Sequence, residues 1–188
     1  PFTPEEMALF KKPEEPSTPK SFVVSTEMTK NLPPQSRTLV TEADKDLAAS
    51  RFDEARKKYE TVVGEQGTNV YALANLASAQ IELQQQEEAE KNIRRALEVN
   101  PDDAFSLLLL GKLMMSRNRF DEALDALGRS AQINPNSAEV QNYLGIVLSE
   151  KGQRLPAEAA LRKALQIQPE YAGAHHNLAV IYAVQKKP

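Results

Sequence analysis

The sequence predicts an all-α protein built from a tandem 34-residue repeat, each unit a pair of helices joined by a short turn. Three observations point to it. Pro101, Pro135 and Pro169 lie 34 residues apart, each preceded by Asn or Gln. Leu110-Gly111 and Leu144-Gly145 keep the same interval, and Leu76-Ala77 and Leu178-Ala179 extend that column both ways. Two further columns of mostly small residues agree: Ala55, Ala89, Ala123, Ala157, and Val62, Ala96, Ser130, Ala164. Self-similarity at a fixed period of this size marks a stacked repeat architecture.

The elements follow in order. Residues 1–35 hold seven of the twelve prolines, and "KKPEEPSTPK" has too little apolar content to offset its ordering entropy. This stretch reads as a Pro-rich linker or docking arm. Two pieces of it suit docking: "TPEEMALFKK", with Thr3 as cap and Met7, Leu9 and Phe10 on offer, and the extended "SFVVS". From Ser36 on, apolar residues recur at helical spacing. The repeat domain then spans 36–188, in units of about 36–69, 70–103, 104–137 and 138–171, with the first helix of a further unit at 172–188. "RFDEA" at Arg51–Ala55 returns at Arg119–Ala123, two periods later. Acids open the second helices (Asp53-Glu54, Glu87-Glu88, Asp121-Glu122), where they oppose the positive end of the helix dipole. Asp121 is the expected cap of its helix. Asn-Pro or Gln-Pro closes the second helices, because the residue before a proline is pushed away from helical angles. Pro156 falls in a first turn, where its missing N–H costs little. The first unit closes without proline, and Gly64 and Gly67 are its expected terminators.

Composition excludes several function classes. A net charge of −3 disfavours a nucleic-acid surface. Zero cysteines rule out disulfides and Cys-ligated zinc. No apolar run is long enough for a membrane span, so no membrane insertion is expected within this fragment. The only histidines, His175 and His176, are adjacent and diverge by about 100° on a helix, so they cannot share one metal. No phosphate-binding Gly loop and no nucleophile-His-acid set can be assembled, so neither an enzyme nor a cofactor is expected. The compartment stays open between cytoplasm and periplasm, since the chain starts without Met and resembles an excised piece.

The small columns imply close helix crossings, with Leu and Ile filling the spaces around them. Period and residues together resemble the tetratricopeptide repeat (TPR) family over about Ser36 to the end. The motif's aromatic place is taken by Leu39, Leu73, Leu107, Gln141 and His175 instead. The resemblance implies a right-handed α-solenoid in which first helices line a concave groove. It also gives "AFSLLLLGKLMM" a reason to be apolar all round. Leu107, Leu110, Gly111, Leu113 and Met114 are expected to pack inside the solenoid, and Phe105, Leu108, Leu109, Lys112 and Met115 to face the groove.

Neighbouring first helices would add Arg37, Val40, Thr41 and Asp44, then Tyr71, Ala74, Asn75, Ser78 and Ile81. Glu139, Asn142, Tyr143 and Ile146 follow, and finally His176, Asn177 and Val180. Asn75, Asn142 and Asn177 suit the backbone amides of a bound peptide. A two-carboxylate clamp, which some relatives carry, is incomplete here: Asn75 and Lys112 fit, but Val40 and Asp44 replace its Lys and Asn. The implied function is a non-catalytic scaffold holding a peptide or partner segment. The alternatives are burial of those leucines between adjacent helices, occupation of the groove by the chain's own arm, self-assembly with a second copy through the arm and the open stack end, or an accessory region of a larger protein with catalysis elsewhere.

Overall fold

The computed structural model describes residues 29–185. The docking pieces expected at 3–12 and 21–25 lie outside them. From Pro34 onward the chain forms nine helices, with no strand among the described residues: α1 (Pro34–Ala48), α2 (Phe52–Glu65), α3 (Val70–Glu82), α4 (Gln86–Val99), α5 (Ala104–Ser116), α6 (Phe120–Ile133), α7 (Ala138–Glu150), α8 (Arg154–Ile167) and α9 (Ala172–Gln185). The described chain divides inside α5 into two compact units, one up to Leu113 and one from Met114 on.

In the first unit α1 pairs with α2 and α3 with α4 around Val40, Ala43, Ala55, Tyr59, Val62, Leu73 and Leu76. Leu32 joins this core, so the folded region reaches back beyond the expected boundary at Ser36. Helix α1 starts with Pro34, a first-turn position whose N–H would be orphaned in any case. In the second unit α8 packs against α7 and α9, and Ala157, Leu161, Ala164, Ala174, Leu178 and Ile181 form its core.

The repeat is visible in how helices begin and end. Three first helices carry side-chain caps 34 residues apart. Asn69 Oδ1 accepts from the Ala72 amide (2.8 Å), Asp103 Oδ2 from the Ser106 amide (2.8 Å), and Ser137 Oγ from the Val140 amide (3.3 Å). Such caps satisfy amides that the helix itself leaves without partners. The second helices lack them. Helix α6 begins at Phe120 with Arg119 at its cap and no side-chain bond, so Asp121 is a first-turn residue and not the expected cap.

First helices also end alike. Ser50, Gln84, Asn118 and Gly152 have φ of 57°, 60°, 57° and 73°. Beside them the amides of Arg51, Gln85, Arg119 and Gln153 reach back to the carbonyls of Asp46, Gln80, Met114 and Leu148 at 2.8, 2.8, 2.9 and 2.8 Å. This is the Schellman closure, in which a left-handed residue lets two amides satisfy the last carbonyls. Only one of the four is glycine, which is why composition did not reveal the motif. At the other turn, Asn100 and Gln168, each before a proline, adopt extended backbone (φ −134° and −136°) and stop α4 and α8. Helix α2 instead runs through Gly64 to Glu65 and ends at Gln66.

The expected close crossing is real at Gly145. A Cβ there would lie 2.5 Å from Leu161 Cγ, 2.7 Å from its Cδ2 and 3.2 Å from the Ala157 carbonyl oxygen. The α7 backbone therefore sits against α8 at a distance only glycine permits.

Candidate functional site

The residues assigned to the inner face divide between the two units. In the first, α1 presents Arg37 and Thr41 exposed and Asp44 half-buried, while Val40 is buried. On α3, Tyr71, Asn75 and Ala74 are buried and Ser78 and Ile81 half-buried. On α5, Phe105 and Lys112 are half-buried, whereas Leu108 and Leu109 are each only 2% exposed. The expectation of two wet leucines is thus not how the chain stands; both are packed away from solvent. Leu110, expected inside, is half-buried. In the second unit Met115, Glu139, Tyr143, Ile146 and Asn177 are half-buried, His176 and Val180 are exposed, and Asn142 is buried.

Two polar arrangements stand out. The first is on α1–α3. Asp44 Oδ1 accepts hydrogen bonds from the hydroxyls of both Tyr59 and Tyr71, the latter at 2.9 Å. Tyr59 occupies the position that holds Ile93, Leu127 and Leu161 in the following repeats, all fully buried. A phenol in an aliphatic column needs a partner for its hydroxyl, and Asp44 supplies one. Burial raises the Asp44 carboxyl above the ordinary aspartate value, against the lowering effect of the two phenol bonds. Burial, then the nearby Asp44 charge, raises both tyrosines. The Oδ2 atom of Asp44 is shielded from solvent and has no hydrogen-bond partner.

Two residues on, Asp46 is the opposite case. It is buried, takes bonds from Arg51 Nε (2.9 Å) and Nη2 (2.5 Å) and from Lys58 Nζ (2.5 Å), and its carboxyl is lowered, chiefly by the Lys58 bond. The tyrosine–aspartate cluster includes Tyr59, which reasoning about first helices alone passed over. The signal for it was the odd phenol in the Ile93–Leu127–Leu161 column.

The second arrangement joins α7 and α9. Asn177 Nδ2 donates to Asn142 Oδ1 at 2.9 Å. That bond leaves the NH2 group of Asn142 and the carbonyl oxygen of Asn177, a donor and an acceptor of the kind a peptide group needs. Asn75, in contrast, donates its Nδ2 to the Tyr71 carbonyl at 2.9 Å. His175 Nε2 donates to the Pro169 carbonyl (2.7 Å), which ties that ring to the preceding turn and leaves His176 as the solvent-facing histidine. Among the described residues no group of three His, Cys, Asp or Glu side chains is placed to hold a metal, and no helix is long and apolar enough to cross a membrane.

Comparison with known proteins agrees with this fold. No curated protein matches the chain significantly. Several solved structures share its fold. TTC0263, a thermophilic TPR protein of Thermus thermophilus, superposes with a TM-score of 0.70 at 23% identity, covering 80% of this chain and 83% of that one. Pseudomonas aeruginosa PilF gives 0.73 at 18% identity over 80% and 69%. A crystal structure of MamA gives 0.65 at 23% over 76% and 84%. Sequence profiles described as Tetratricopeptide repeat match residues 46–113, 87–145 and 138–171. With its period, its small-residue crossings and these matches from residue 46 to residue 171 in agreement, the chain belongs to the tetratricopeptide repeat family.

Proposed function

We propose that the protein is a non-catalytic scaffold whose first-helix faces hold an extended segment of a partner protein. Its family is one of protein-interaction scaffolds, typically without catalysis. The observation that supports peptide recognition is the Asn142–Asn177 pair. Its unused donor and acceptor match a backbone amide, and half-buried Tyr143 and Ile146 flank Asn142 on α7. In the first unit, Phe105 and Lys112 with Ser78 offer a similar mixture of apolar and polar contact. Leu108 and Leu109 take part once that unit opens locally, beside Tyr71 and Asn75, while Met115 and His176 belong with Asn142 and Asn177 on the second unit.

The test is selection of binders from a random peptide library, followed by titration against three variants. Phe105→Asp and Ile146→Asp should each weaken binding about tenfold or more, as truncation of interface anchors does. Leu155→Asp, at a residue 79% exposed on the second helix α8, should leave it unchanged. Loss only with Leu155→Asp refutes the reading. A second reading, self-association, draws on the exposed line of His176, Val180 and Ala183 along α9. It predicts a concentration-dependent sedimentation coefficient that Val180→Asp abolishes.

A further inference from the structure

Helix α1 and the last described helix, α9, are finished differently. On α1, Thr38, Glu42 and Lys45 are exposed, where α3 has Ala72, Leu76 and Ala79, all buried. The repeats therefore open on a polar surface, as repeat arrays need at a terminus. Helix α9 has no such finish. Ala172–Gln185 holds no Asp, Glu, Lys or Arg. Its exposed His176, Val180 and Ala183 correspond to Asn142, Ile146 and Ser149 of α7, which are buried or half-buried. A helix with no charge on any side is of the kind that folds bury. Its neighbours in the described chain are α8 and α7, and both leave that line open.

A segment outside the described residues has the make-up to cover it. Thr3–Lys12 reads as a helix, with Thr3 as cap, Pro4 first, then Glu5 and Glu6. Met7 and Phe10, three apart, share one face of that helix. So short a helix is marginal alone in water and needs a surface to form on. Residues 13–28 can span about 50 Å when extended, so the piece is not confined to the helices nearest Thr29.

Charge selects the last hairpin. The earlier second helices α2, α4 and α6 each carry more acids than bases, whereas α8 carries Arg154, Arg162 and Lys163 against Glu158 alone. Arg162 is exposed beside the C-terminal half of α9, where its Nη2 donates to the Tyr182 hydroxyl at 2.8 Å. Glu170, also exposed, stands just before the N-terminus of α9. A helix antiparallel to α9 brings Glu5 and Glu6 toward Arg162, and Lys11 and Lys12 toward Glu170. The α9 helix of a second copy brings no charge to either.

We propose that residues 3–12 of the same chain fold as a helix along the His176–Val180–Ala183 line, antiparallel to α9, and cover its apolar face. Met7 then lies over Val180 and Phe10 over His176. This goes beyond the partner-binding reading and does not depend on it. Self-association through α9 then requires the arm to leave.

The chain has no cysteine, so an introduced pair reports one contact at a time. In the full chain, Met7→Cys with Val180→Cys should oxidise to an internal disulfide about tenfold faster than Met7→Cys with Thr61→Cys. Thr61 is exposed on α2 and much nearer to the arm in sequence, so a free tether would favour it. Equal rates, or a faster Thr61 pair, overturn the proposal. A covalent dimer in place of the internal bond also overturns it, in favour of a second copy. Amide hydrogen exchange gives a second measurement without cysteines. Met7→Asp with Phe10→Asp alters no residue of the repeats, and should speed exchange in α9 about tenfold while leaving α1 as it was. Exchange in α9 that does not change overturns the proposal.

Discussion

Replacing Gly145 with alanine tests the packing argument most directly. On an open helix surface Gly→Ala stabilises by about 1 kcal/mol, because alanine loses less backbone entropy and shields the helix. At Gly145 the added methyl meets Leu161 Cγ at 2.5 Å and Cδ2 at 2.7 Å, well inside contact distance. Leu161 is fully buried in the α8–α9 core and has nowhere to turn, and the Ala157 carbonyl at 3.2 Å blocks a shift of the methyl. Overpacking of this kind costs about 1–3 kcal/mol. The balance is a net loss of about 0–2 kcal/mol once the propensity gain is subtracted.

Gly128, inside α6, is the internal control: an added Cβ meets nothing within 4 Å, so Gly128→Ala should stabilise by about 0.5–1 kcal/mol. Urea unfolding followed by far-ultraviolet circular dichroism reads both, with the slope checked because repeat arrays can unfold in stages. Leu161→Ala should cost less in the Gly145→Ala background than alone, since it removes the obstruction. A Gly145→Ala protein as stable as Gly128→Ala would show that α7 and α8 are not as close as described, and the reasoning would fail.

Two further outcomes follow from the turns and the charges. Gly152 sits at φ 73° with open space around it, so Gly152→Ala should cost about 1 kcal/mol through backbone strain alone, while Gln84→Gly at φ 60° should be neutral to mildly stabilising; thermal unfolding compares them. Asp46 is lowered below its ordinary value, so its stabilisation is present above about pH 4 and lost as pH falls through its folded-state value. Asp46→Asn should therefore lower the unfolding midpoint at neutral pH, with the gap to the unaltered chain closing below about pH 4, as denaturant titrations at several pH values will show.

The architecture was legible because it is written as a period. Prolines, small residues and acids recur at one interval, and each has a local physical reason to stand where it does. The turns were less legible. Ser50 and Gln84 take a left-handed conformation that their side chains do not advertise, and only alignment with Asn118 and Gly152, the residue types usual there, exposes it. The caps Asn69, Asp103 and Ser137 fall in one column too, but three different side chains serve there, so no single residue type repeats to mark it. The inner face was read by direction alone, and direction does not give depth. Leu108 and Leu109 were placed on the correct helix, yet their burial depends on what packs over them, which spacing along one helix does not encode. Tyr59 was missed because it belongs to a second helix and reaches Asp44 only through the pairing of α1 with α2.

The four elbows between first and second helices share one closure by amides and carbonyls. Their bend is therefore indifferent to most of the side chains that pass through it. Such a joint can be cut and rejoined: a whole hairpin copied in or deleted at residues equivalent to Ser50 or Gly152 would meet the same main-chain latch on either side. Length becomes a free variable for this kind of chain, and the surfaces it displays can be changed one module at a time without redrawing the angles that hold them.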